Sequence, residues 1–92
     1  MDHIRLHIGG IVVAKLGLIA GIGVLPVEFM RAAHMLGHQV VVIGVVPDTD
    51  PILEKEADSF YNISVAKLGK IFKTLKKEGV TELTMLGKVT KE

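Results

Sequence analysis

Chemistry in this sequence would start from Gly21-Ile22-Gly23, which follows directly on the apolar run Lys15-Leu16-Gly17-Leu18-Ile19-Ala20. Glycines in that place let main-chain N–H groups approach a phosphate, and a helix beginning just afterwards presents its positive end to the same anion. Pro26 stands where a fingerprint of the form G-x-G-x-x-G would carry its third glycine. The pair therefore reads equally as a phosphate contact or as a tight strand-to-helix turn. A second glycine with a cation beside it, Gly87-Lys88, follows another strand-like run, Glu82-Leu83-Thr84-Met85-Leu86. Asp48 and Asp50 come after a third run, where a ribose-binding acid would sit, but their Pro-Asp-Thr-Asp-Pro setting fits a solvated turn better.

The other reactive side chains form weaker patterns. His3 and His7 are four residues apart, as are His34 and His38, and that spacing aims two imidazoles at one metal ion only on a helix. The first pair falls on a strand-like stretch and His38 lies past Gly37, so surface histidines are the better reading. Lys67, Lys70, Lys73, Lys76 and Lys77 would suit anionic lipid or phosphate, yet a solvated face opposite an apolar stripe is the ordinary case and the better reading. There are no paired carboxylates, no Ser/His/Asp arrangement and no Walker loop. The absence of cysteine removes disulfides, thiolate nucleophiles and Cys-ligated zinc. Eleven basic against ten acidic side chains, a formal charge of +1, is not the balance of a protein held on nucleic acid by phosphate neutralisation. The apolar stretch from Ile11 to Met30 is interrupted by Lys15 and Glu28 and broken by Gly17, Gly21, Gly23 and Pro26, whereas a spanning helix needs about 20 uninterrupted apolar residues. No transmembrane segment is expected, and the mixed leader containing Asp2, His3, Arg5 and His7 does not suit a signal peptide. Cytoplasm is the expected compartment.

The elements that must position Gly21–Gly23 and Gly87–Lys88 follow from periodicity. Lys15–Ala20 predicts a strand buried on both faces. Pro26 suits the first turn of a helix running to about Leu36, with Phe29, Met30, Ala33 and Leu36 at helical spacing and Gly37 as its stop. The β-branched run from Gln39 predicts a second strand ending at Pro47, and Pro51 to Ala57 a short helical piece. Phe60–Ile63 is a candidate third strand, and Ser64 a candidate cap for a helix whose Leu68, Ile71, Phe72 and Leu75 form an apolar stripe. Gly79 ends that helix before a fourth strand, Glu82–Leu86. Alternation of this kind gives an α/β fold, a short parallel sheet in the order 3-2-1-4 with helices on both faces. The first and fourth strands are then neighbours where the winding reverses, so Gly21–Gly23 and Gly87–Lys88 should meet at one crevice at the carboxyl ends of the strands. Residues 1–13 stand outside that plan as a leader or peripheral strand. Ile4, Leu6 and Ile8 alternate with polar residues, and Gly9-Gly10 before Ile11-Val12-Val13 suits a two-residue hairpin turn.

Taken together, the stretches Lys15 to Pro26, Gly37-His38-Gln39-Val40-Val41-Val42, Leu68-Gly69-Lys70-Ile71, Leu75-Lys76-Lys77-Glu78-Gly79-Val80 and Met85-Leu86-Gly87-Lys88-Val89 resemble the LpxI-type UDP-2,3-diacylglucosamine pyrophosphatases of lipid A biosynthesis. The resemblance covers residues 14 to 90 or so, the first third of a family member, and implies that residues 14–92 are a Rossmann-like N-terminal domain. It further implies hydrolysis of UDP-2,3-diacylglucosamine to lipid X and UMP, with Mg or Mn held by a catalytic C-terminal domain, at the cytoplasmic face of the inner membrane. What carries over to this chain is a substrate-binding wall made of Gly21, Ile22, Gly23, Leu25, Pro26, Gly87 and Lys88. No catalytic or metal-binding residue carries over, so the chain is expected to be inactive alone, with a sugar nucleotide or lipid phosphate as its ligand. Apolar residues Leu83, Met85 and Val89 on the last strand are expected to lack cover, which makes a homodimer or the C-terminal domain the expected partner. The alternative function is a stand-alone module that binds nucleotide or sugar phosphate, or self-assembles.

Overall fold

The computed structural model describes the main chain of residues 6–8 and 11–13, and residues 15–89 with their side chains. Strands β1 (Leu6–Ile8) and β2 (Ile11–Val13) form an antiparallel pair of their own, with Ile8 opposite Ile11. The hairpin expected there is thus present as a separate two-stranded sheet. The Gly9-Gly10 turn, Ile4 and His3 lie outside the described residues.

The domain proper runs β3 (Lys15–Ala20), α1 (Leu25–Met35), β4 (Gln39–Gly44), α2 (Pro51–Glu56), β5 (Ser59–Asn62), α3 (Leu68–Glu78) and β6 (Glu82–Leu86). All pairs among its four strands are parallel, in the order β5-β4-β3-β6, which is the expected 3-2-1-4. Because successive side chains of a strand point to opposite faces, the central strands feed two cores. Leu18 and Ala20 of β3 and Val40 and Val42 of β4 pack under α1 and α2 with Val27, Met30, Ala33 and Leu53. Ile19 and Ile43 turn the other way, to Ile71 and Leu75 of α3. The result is three layers, with β3 and β4 apolar on both sides because both sides are covered.

Several element boundaries differ from the sequence reading. The second strand stops at Gly44, not Pro47, because the neighbouring strands end opposite it at Ala20 and Asn62. Val45 and Val46 are buried beyond the strand, with Ile63. Helix α1 starts one residue before Pro26, and Leu36 is 70% exposed, since it follows the last helical turn. Ser64 does not cap α3. Its Oγ accepts from the Ala66 amide in a tight turn, and the helix begins four residues later, at Leu68. Of the predicted stripe, Ile71 and Leu75 are buried, whereas Leu68 and Phe72 are about half exposed. One helix covers β3 and β4 on that face and does not reach across β6.

Charged side chains tie the layers together. Arg31 of α1 grips Glu56 of α2 through two hydrogen bonds of 3.1 and 2.9 Å, which holds the Glu56 carboxyl below its ordinary range. Glu78, at the end of α3, accepts from the Tyr61 hydroxyl of β5 and from Lys15 of β3 at 3.3 Å. Asp58 connects three elements: its Oδ2 accepts from the Val40 amide at 2.7 Å and lies 2.8 Å from Nε2 of His34. Partial burial works against ionisation of Asp58, but the Val40 amide and His34 outweigh it and hold the carboxyl below its ordinary value of 3.8.

The sign of the resulting pH dependence is fixed. A carboxyl whose folded value is depressed stabilises the fold above its unfolded value and loses that contribution as pH falls through the folded one. Asp58, Glu56 and Glu78 are all shifted this way. Melting temperature should therefore fall as pH drops below about 4. Asp58→Ala should cost on the order of 1 kcal/mol at neutral pH and flatten that acid limb, as followed by circular dichroism. An acid limb identical in the variant would remove Asp58 from this account.

Candidate functional site

The site is assembled where β3 and β6 end side by side. Gly21 N–H donates to the Leu86 carbonyl at 2.9 Å. Ile22 and Lys88 then exchange two main-chain hydrogen bonds, at 2.9 and 2.8 Å, as an antiparallel bridge. Two segments more than sixty residues apart in sequence are thus sewn together by backbone alone, as expected from the strand order.

This closeness explains the glycines. A methyl group added at Gly21 would sit 2.5 Å from the Lys88 carbonyl oxygen, and one added at Gly87 would sit 2.9 Å from the main chain of Gly21. Gly87 also has a φ of 96°, a conformation that L side chains rarely adopt. Both positions are set by steric contact between the two turns. The same bonds decide which amides are open. Those of Gly21 and Ile22 are spent on β6, so they are not the ones turned outward.

The groups that remain belong to Gly23 and the start of α1. Val24 is the N-cap and makes no side-chain capping bond. Glu28 N–H already bonds back to the Val24 carbonyl. The amides of Leu25 and Val27 precede the first intrahelical bond, and Pro26 has no N–H to satisfy. The positive end of the α1 dipole therefore emerges beside the Gly21–Gly87 contact. Around it, Ile22 is 37%, Val24 57% and Leu25 56% exposed, while Pro26 is buried. Lys88 is exposed. The seven sequence-predicted residues thus share one end of the sheet, Gly21, Ile22, Gly87 and Lys88 in direct contact and Gly23, Leu25 and Pro26 on the turn and helix leading away. The arrangement offers open main-chain donors, a helix N-terminus, a mobile cation and an apolar shoulder, and it contains no nucleophile.

Other candidates from the sequence go elsewhere. Asp50 is the N-cap of α2, its carboxylate accepting from the Ile52 amide at 2.9 Å, which is the turn reading rather than a ribose contact. His34 is engaged by Asp58, and His38 also has a partner. Among the described residues, no group of three His, Asp or Glu side chains is arranged to hold a metal ion. No helix among them is long and apolar enough to cross a membrane. The sequence reading missed the Asp58 and Glu78 junctions, for which no motif exists. Each joins residues distant along the chain, and only the folded sheet brings them together.

Gly21→Ala and Gly87→Ala are each expected to part the two strand ends. We expect destabilisation of about 1–3 kcal/mol from either change, with the Ile22 and Lys88 amides losing hydrogen-exchange protection before the core does. Unchanged protection at those two amides would mean that the turns tolerate a methyl group and that close approach does not explain the glycines.

With this geometry in hand, comparison with known proteins is specific. The LpxI N-terminal domain family matches residues 15–92. UDP-2,3-diacylglucosamine pyrophosphatase LpxI of Caulobacter vibrioides is 35% identical over 77 residues, which cover 84% of this chain and 27% of that relative. The chain thus spans only about a quarter of the relative's length through that match. The family match takes in the strand ends at Gly21 and Gly87 that the fold brings into contact, and the chain belongs to the LpxI N-terminal domain family.

Proposed function

We propose that this domain forms the phosphate-facing wall of a UDP-2,3-diacylglucosamine pyrophosphatase, the activity named for its Caulobacter relative. The observation that carries the reading is the juxtaposition of the α1 N-terminus with Lys88 at the joined ends of β3 and β6. A pyrophosphate is the part of a sugar nucleotide that such a place suits, because open amides and a helix dipole favour negative charge without a dedicated side chain. Lys88 adds a mobile point charge to the same anion. In this reading Gly21 and Gly87 bring the segments together, the amides of Gly23, Val24 and Leu25 hold phosphate oxygens, Pro26 sets the start of α1 from within the core, and Ile22, Val24 and Leu25 offer the apolar surface that an acylated ligand needs.

The reaction is hydrolysis of the P–O–P linkage. Water adds to one phosphorus, the bridging oxygen leaves with the other, and two phosphate monoesters result, UMP and the 2,3-diacylglucosamine 1-phosphate. What this chain's residues contribute is binding and orientation. The family implies Mg or Mn, but no three His, Asp or Glu side chains among the described residues are grouped to hold such an ion, and four of the carboxylates are engaged otherwise: Glu56 by Arg31, Glu78 by Lys15 and Tyr61, Asp58 by His34 and an amide, and Asp50 by its own helix. They do not fit a divalent ion, so metal-assisted chemistry belongs to another part of the enzyme. A cytoplasmic location, peripheral to the inner membrane, goes with this reading because the substrate is a lipid.

Two outcomes are expected. The purified 92-residue chain should release no UMP from UDP-2,3-diacylglucosamine, with or without Mg or Mn; metal-dependent turnover at an enzymatic rate would overturn the assignment of catalysis elsewhere. Titration with UMP or a sugar phosphate should shift the amide resonances of Gly23, Val24 and Leu25 first, and Lys88→Ala should weaken that binding several-fold, roughly 1 kcal/mol. Shifts confined to α3 would move the anion site to its lysines.

A further inference from the structure

The helices of this domain carry their charges differently. α1 and α2 each place an acid in the first turn, Glu28 and Glu54, where the helix dipole favours one, and Arg31 of α1 is paired with Glu56 of α2. α3 has no acid in its first turn; Lys67 stands at its N-cap and Lys70 at its third position. Lys73, Lys76 and Lys77 follow, so that Lys67 and Lys70, Lys70 and Lys73, and Lys73 and Lys76 are three residues apart, and Lys73 and Lys77 four. Residues at those spacings are neighbours on a helix, and like charges there oppose its formation. The single acid of α3, Glu78, turns inward to Tyr61 and Lys15. Among the described residues, no carboxylate forms an ion pair with Lys67, Lys70, Lys73 or Lys77.

A helix face that meets only water gains from opposite charges four residues apart, and α3 does the reverse. The dipole is opposed at its start and the lysines repel one another along its length, so the ordinary solvated face does not account for this helix. An anion outside the domain would offset both penalties. The pattern belongs to α3 and the sheet beneath it: Ile71 and Leu75 are buried with Ile19 and Ile43, and the lysines take the exposed positions. Lys70, Lys73 and Lys77, with Gly69 and Thr74, line a broad, shallow concavity of about 680 Å³. A methyl group at Gly69 would meet nothing within 4 Å, so packing does not ask for glycine there, and its missing side chain leaves the row open. The lysines extend over about 16 Å of helix, on long mobile stems with no Arg fork among them, which suits the diffuse charge of a surface better than one fixed anion. A formal charge of +1 for the whole chain is not the balance that nucleic acid draws on. Roughly four to eight lysines gathered on one amphipathic helix are the pattern of a contact with anionic lipid headgroups.

We propose that the lysine face of α3 docks the domain on an anionic phospholipid surface. The choice of a lipid rests on the pyrophosphatase reading, whose ligand is diacylated; the charge pattern does not. α3 leads from the carboxyl end of β5 back to the amino end of the parallel strand β6, so Lys67 and Lys70 lie at the same end of the sheet as the contact between Ile22 and Lys88. A domain docked by this face has its anion site beside the headgroups, where an acylated ligand resides.

The test is sedimentation with vesicles that hold no sugar nucleotide, so that it reads docking alone, while the UMP titration reads the strand-end site. The 92-residue chain should sediment with vesicles of phosphatidylglycerol and phosphatidylcholine mixed roughly one to two, should ignore vesicles of phosphatidylcholine alone, and should be released as salt rises from about 0.05 to about 0.5 M. Lys70→Gln, Lys73→Gln and Lys77→Gln together should weaken that binding roughly 100-fold. Glutamine is as good a helix former as lysine, so the triple variant should melt no lower than the wild type, which separates lost docking from lost fold. Lys73→Gln alone should weaken binding several-fold, whereas Lys55→Gln on α2, with the same loss of net charge, should leave it unchanged. Equal losses in those two single variants, or full binding by the triple variant, overturn the surface. Sedimentation without preference for phosphatidylglycerol, or capture by an RNA homopolymer in preference to the vesicles, overturns the lipid.

Discussion

The feature on which the rest depends is the main-chain contact between the ends of β3 and β6, where Gly21 bonds to Leu86 and Ile22 exchanges two bonds with Lys88. It fixes the position of β6 beside β3, completes the reversal of winding at the centre of the sheet, and sets the direction in which the chain leaves toward α1. The cost is borne by two residues that cannot carry a side chain. Gly21 has no room for one, and Gly87 has neither room nor a favourable φ. Once these turns touch, the amides of Gly21 and Ile22 are committed, and the next donors along, at the head of α1, are those that the proposed anion contact would use. Structural constraint and the proposed contact therefore lie on consecutive residues.

Much of this was legible because parallel sheets write their burial plainly. Lys15–Ala20 and the run from Gln39 are apolar on both faces since both faces are covered, and a strand-helix-strand alternation leaves few topologies open. Gly21 and Gly87 could be paired from sequence for the same reason: the strand order alone brings the ends of the first and fourth strands together. Where the reading went astray, competing physics had decided. Val45 and Val46 are as β-prone as the strand before them, but a strand ends where its partners end. Leu68 and Phe72 have helical spacing with Ile71 and Leu75, but burial depends on what lies beneath, and α3 packs over β3, β4 and Tyr61 of β5 without reaching across β6. Ser64 has the chemistry of a cap and uses it in the turn three residues before the helix.

The polar junctions show a different limit. Asp58 with His34 and Val40, and Glu78 with Tyr61 and Lys15, join residues whose proximity exists only after the sheet has formed. Single-chain spacing carries no trace of them. His34 illustrates the consequence: its spacing from His38 suggested a metal pair, while its partner is a carboxylate twenty-four residues away. Tyr61 is held protonated by its hydrogen bond to Glu78, aided by burial and by the carboxylate's charge, which raises the phenol above its ordinary 10.0. That contribution is present below pH 10 and fades only above it, so this junction also tightens the fold through the neutral range.

These commitments define what kind of part the domain can play. Glu56, Asp58 and Glu78 are each engaged in holding one element to another, Asp50 caps its own helix, and the sheet interior has no buried polar side chain among the described residues. Any of these four recruited as acid, base or metal ligand would have to abandon a structural bond, with a loss of about 1–3 kcal/mol in a fold this size. At the joined ends of β3 and β6, what remains uncommitted is main chain at a helix N-terminus, the side chain of Lys88 and a rim of exposed apolar residues. Such groups recognise charge and shape without reacting. A domain so constituted can be coupled to chemistry supplied elsewhere without bringing a competing reactive group to the substrate, and its stability does not depend on the state of a catalytic site. Under the proposed function, a separation of binding from reaction accords with the way Glu56, Asp58, Glu78 and Asp50 are already spent.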